Sequence, residues 1–171
     1  MGCSSQPEVK TNQQQQQVQN QQSQPQYQQQ QQNVNYQQEQ YDREVEKYIT
    51  DMKNGIMLLE NEDNNFIQNT NTMAIMVRTT YSQKNKMNQM EKSTFNQMKS
   101  MAIQQVNQYK NNTLQGRNTL IQGYQTMINK SGPNSRLGRE CSNAIQELNR
   151  LNNNLNQFCQ GLTNEYQNMV V

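Results

Sequence analysis

Cys141, Leu148, Leu155, Leu162 and Met169 fall at every seventh residue, and Leu137, Ala144, Leu151 and Phe158 fill the complementary row between them. Two apolar rows sustained over more than four heptads are specific for a helix of a coiled coil or bundle. Glu165 is the one break in the second row. The positions between the rows hold Asn and Gln rather than paired Glu and Lys, so flanking charges specify the neighbouring helix only weakly. These nine residues are the expected seam for a partner helix, whether from this chain, a second copy or another protein.

Upstream, Val45, Ile49, Met52, Ile56 and Leu59 follow one another at steps of 4, 3, 4 and 3, and the pattern continues less cleanly to Phe66. The stretch NTNT at 69–72 offers a cap for a new helix, which places helix one at about 39–68. Between Met73 and Lys130 there is no proline, and a methionine-rich apolar pattern with a drifting heptad predicts a second helix over about 72–130. Gly116 and Gly123 mark the places for a bend. SGPNS at 131–135 is a stop, with Gly132 suited to the left-handed cap and Asn134 or Ser135 to capping the next helix, about 135–169. Only 31% of the residues are hydrophobic, too few for a thick globular core but enough for the narrow stripes of rods. The expected class is all-α: an elongated three-helix coiled coil or helical bundle over 39–171.

Residues 6 to about 37 are low-complexity, Gln-rich and almost uncharged, with two prolines and no apolar period. They predict a disordered N-terminal region, taken as residues 1–38, that acts as a tether. The chain starts MGCSSQPEVK. This start resembles the acylated N-termini of dually lipidated peripheral membrane proteins, in which the positions of Gly2 and Cys3 take an N-myristoyl and an S-palmitoyl chain. The resemblance covers the first five or six residues; the usual Ser or Thr at the sixth position is Gln6 here, and Pro7 follows. One myristoyl chain binds membranes reversibly, with K of about 10⁴ M⁻¹, so a palmitoyl group on Cys3 is the local second signal. A plain polar terminus, or the end of a bacterial lipobox lacking its signal sequence, are the alternatives.

Chemistry is limited by what the chain lacks. It has no histidine, which removes Ser-His and Cys-His pairs and His-containing metal sites. Cys3, Cys141 and Cys159 are too few for a four-ligand zinc site, and their odd number argues against a disulfide framework. No phosphate-binding glycine loop appears, and ENEDNN at 60–65 lacks the glycine and terminal glutamate of a calcium loop. Neither an enzyme nor any cofactor or metal is expected. No apolar run spans a membrane and none precedes Cys3 as a secretory segment, so the expected place is the cytosol.

Charge is segregated. Residues 39–63 carry eight acidic and three basic side chains, residues 78–139 ten basic and one acidic, and residues 140–171 three acidic and one basic. Either acidic first and third helices pack on a basic second helix, or that helix presents a basic surface to something anionic. The basic residues are too spread for a nucleic-acid reader. The expected function is a non-enzymatic, lipid-anchored coiled-coil adaptor, tether or scaffold on the cytosolic face of a membrane, with partners or self-association through its helices. The alternative is a structural component of a cytoskeletal or filament assembly without a lipid anchor.

Overall fold

The computed structural model describes the backbone from Asn12 to Val171 and the side chains from Gln31 onward. The described chain comprises α1 (Asn12–Ser82), a 3-10 turn at Lys84–Lys86, α2 (Gln89–Ser131) and α3 (Arg136–Asn168). No strand occurs among the described residues, and the class is all-α, a helical bundle. The chain divides into two compact units, Met1–Lys47 and Tyr48–Val171.

In the first unit the backbone is helical from Asn12, well before residue 39, and every side chain from Gln31 to Glu44 is exposed. Gln is a fair helix former, so local propensity supports the part from Gln31 to Glu44, whose side chains bury nothing. A helix held by propensity alone is marginal in water, so the stretch remains compatible with a disordered Gln-rich region. Gly2 and Cys3 lie outside the described residues.

The second unit holds three packed helices. Lys53 meets Glu140 and Arg78 meets Glu165, so contacts rise together along α1 and α3 and the two run parallel. The α2–α3 hairpin turns where SGPNS predicts. Gly132 has φ of +86°, open to glycine without strain, and its N–H donates to Ile128 O. Ser135 then caps α3, its Oγ accepting from Gly138 N at 2.9 Å.

The α1–α2 boundary differs from the expectation. NTNT does not break the helix: Thr70 is buried, Thr72 Oγ1 donates back to Gln68 O, and Ala74 and Val77 beyond it are fully buried in the core. A threonine bonding the carbonyl four residues back stays inside a helix instead of capping one. The stop falls at 83–88. There Asn88 Oδ1 accepts from Glu91 N while Glu91 Oε2 accepts from Asn88 N, a reciprocal capping box that starts α2. Helices one and two are thus Asn12–Ser82 and Gln89–Ser131 rather than 39–68 and 72–130. Gly116 and Gly123 sit within an unbroken helical stretch of α2.

Candidate functional site

The seam predicted on α3 is buried within the chain's own bundle. Leu137, Cys141, Ala144, Leu148, Leu151, Leu155, Leu162 and Met169 are all buried. Phe158 is half-buried, packed against the core with its ring edge-on to Phe66. From Leu155 the buried row passes to Cys159 and then to Tyr166, both at 0% exposure. A step of four where the strict heptad takes three is a stutter, the local unwinding by which a 3.6-residue helix corrects its drift. It explains Glu165: the residue is not a break in the seam but lies outside it, bonded to Arg78 through both carboxylate oxygens, at 2.5 and 2.7 Å.

One layer of the core is ionic. Arg117 Nη2 lies 2.8 Å from Asp63 Oδ1, with the two side chains only 1% and 7% exposed. The same nitrogen donates to Leu59 O, and Tyr109 Oη donates to Asp63. Phe66 stacks on Tyr109 with ring centroids 3.7 Å apart. Arg117 Nε and Nη1 have no protein partner, nor has the buried Asn152 Oδ1. The larger apolar cluster, with Phe95, Val106, Leu155 and Tyr166, lies on one side of this layer. Ile49, Met52, Ile128, Cys141 and Leu148 are buried outside that cluster. The sequence carried a signal for the pair. Asp63 extends the α1 seam by steps of 4 and 3 between Leu59 and Phe66, and Arg117 stands seven residues before the buried Tyr124.

Cys141 and Cys159 are free and buried. Burial pushes the Cys159 thiol up to about 11, with Lys110 opposing and Asp63 adding, and it raises Cys141 as well. Both thiols stay protonated at neutral pH and are poor nucleophiles. Among the described residues no group of three or more Cys, Asp or Glu is placed to hold a metal ion, and no helix is long and apolar enough to cross a membrane.

The segregated charge is only partly spent inside the bundle. Three surface bridges join α1 to α3: Lys53–Glu140, Arg150–Glu60 and Arg78–Glu165. Against acidic α1, basic α2 contributes the buried Arg117. Lys86, Lys92, Lys110 and Lys130 form no ion pair among the described residues; Lys84 donates to Tyr81 Oη and Lys99 to Met169 O. Near the α1–α2 turn lies an open groove of about 670 Å³ lined by Thr80, Gln83, Lys86, Met87, Met90 and Phe95, among others.

Comparison with protein-family models, with curated proteins and with solved structures finds no match for this chain.

Proposed function

We propose that this chain is a non-enzymatic adaptor or tether held on the cytosolic face of a membrane by acyl chains on Gly2 and Cys3. The observation that carries the reading is the MGCSS start, followed by a Gln-rich stretch whose described side chains bury nothing. An anchor needs a leash, and a leash needs a folded cargo. The bundle supports that division of labour because its α3 seam is buried within the chain, leaving the outer faces for partners. The test is the membrane fraction of the full chain in its native cell. Gly2→Ala and Cys3→Ser together should release it to the soluble fraction, and the native N-terminal peptide should carry both acyl masses. An unchanged membrane fraction, or an unmodified peptide, refutes the anchor.

A second reading, a cytoskeletal or filament component without a lipid, draws on the α2 lysines that have no carboxylate partner in the bundle. It requires co-sedimentation with an acidic polymer that is lost at raised salt.

A further inference from the structure

We infer that the α1–α2 corner is a second membrane contact, in which lysines meet anionic lipid headgroups and Met90 enters the interface. The inference rests on the membrane reading above and names the surface of the folded unit that serves it.

Three observations converge on one short stretch. Lys84, Lys86 and Lys92 fall within nine residues, and none of them pairs with a carboxylate. The one acidic residue among them, the exposed Glu91, accepts from Asn88 N in the capping box, and the stretch keeps a net positive charge of three lysines against one carboxylate. Met90 is 80% exposed, the most exposed large apolar side chain among the described residues, and Met87 beside it lines the open groove. Methionine is unbranched and polarizable, which suits it to a fluid, irregular apolar medium.

The kind of cation selects the occupant. Three arginines of the bundle pair with carboxylates: Arg78 with Glu165, Arg117 with Asp63, and Arg150 with Glu60 and Glu147. The corner's three lysines have no carboxylate partner: Lys86 is exposed, while Lys84 and Lys92 are half-buried and Lys84 donates to Tyr81 Oη. Arginine's planar fork suits bidentate recognition of a particular carboxylate or phosphate, whereas lysine is a hydrated point charge. Point charges beside the protruding Met90 suit a diffuse anionic bilayer better than a shaped acidic protein or a nucleic acid. A headgroup layer also lets lysine stems lie along apolar surface with the ammonium in water.

The test uses the full chain prepared without acyl groups, so that it is independent of Gly2 and Cys3. Co-sedimentation is measured with vesicles of phosphatidylcholine alone and of phosphatidylcholine with phosphatidylserine. Binding should appear only with phosphatidylserine and fall as salt is raised. Lys84→Gln, Lys86→Gln and Lys92→Gln together should weaken it roughly 100-fold, about fivefold for each lysine. Met90→Gln should weaken it further at every salt concentration. Lys110→Gln with Lys130→Gln, on the same helix but away from the corner, should leave most of the binding. The inference is overturned if the wild-type chain ignores phosphatidylserine, or if the distant pair matters as much as the corner. It is equally overturned if soluble polyglutamate or DNA binds the corner while vesicles do not. Loss of vesicle binding by the unacylated wild-type chain, with the acylated chain still on membranes, would leave the anchor standing and this contact refuted.

Discussion

At the scale of single residues, the sharpest feature is a full charge pair inside a thin apolar core. Burying Asp63 and Arg117 costs desolvation that their 2.8 Å contact and the bonds from Tyr109 and to Leu59 must offset. Removing one partner strands the other. Asp63→Ala should therefore destabilise the bundle by about 3–5 kcal/mol in urea unfolding. Replacing both with leucine should cost far less or even stabilise, because the orphaned charge disappears with its partner. What the double variant should lose is fixed register, read as broadened side-chain resonances, since a polar layer penalises helix sliding that an apolar one tolerates. Cys159 gives a second prediction. Its thiol ordinarily ionises near 9.0 and is pushed up to about 11 by burial. From pH 9 to 11 the folded chain keeps a proton that the unfolded chain releases, so stability must fall as pH rises through that window. Burial raises the hydroxyls of Tyr109, Tyr124 and Tyr166 too, and they act with the same sign. The urea midpoint should decline above pH 9, and Cys159→Ala, though less stable at neutral pH, should show a shallower decline.

At the scale of elements, α2 has room for stabilising changes at two glycines. Gly116 and Gly123 are helical, and an added Cβ at either would meet nothing within 4 Å. Gly116→Ala and Gly123→Ala should each raise stability by about 0.5–1 kcal/mol, seen as additive shifts in thermal unfolding. Gly138 behaves oppositely, because a Cβ there would run into the backbone oxygen of Gly132. Gly138→Ala should open the α2–α3 turn and lower the midpoint. The same elements show what the sequence makes legible. SGPNS is readable because proline, a positive-φ glycine and a serine cap all act locally. The α3 seam is readable because its rows are long. The α1–α2 boundary is misread at NTNT because Asn and Thr serve as caps or as helix interior, and only the burial of Thr70, Ala74 and Val77 decides between them. Its true signal, Asn88 with Glu91 three residues on, is an ordinary capping box hidden among other polar residues. Arg117 is likewise countable as a surface charge until Asp63 is found beside it, since their separation of 54 positions is visible only once the helices are packed. Met87 and Met90 belong to one drifting methionine pattern, so only the packed helices show that Met87 packs against the core while Met90 is exposed.

At the scale of the whole molecule, the question is whether the heptad seam makes an assembly or a fold. A seam shared between chains leaves its leucines exposed in the isolated protomer, and stability then rises with protein concentration. Here Leu148 and Leu155 are 0% exposed within one chain, and Leu151 and Leu162 nearly so. Unfolding of the bundle should therefore be cooperative, with a midpoint that does not move as the protein is diluted. Leu155→Asp separates the two cases further. In a shared seam it would dissociate the oligomer while leaving helical protomers. In a seam closed within the chain it places a carboxylate in the buried apolar core, at the desolvation cost of an unpaired charge. The expected result is loss of most of the circular-dichroism helix signal and of the cooperative transition, at every concentration. A helical monomer in place of a wild-type dimer would instead mean that the seam joins two chains. Gly2 and Cys3 are far from this core in sequence, so Leu155→Asp should keep its acyl groups. The variant would then reach the membrane with nothing folded at the end of its leash, which separates the anchor's contribution to localisation from the bundle's contribution to function.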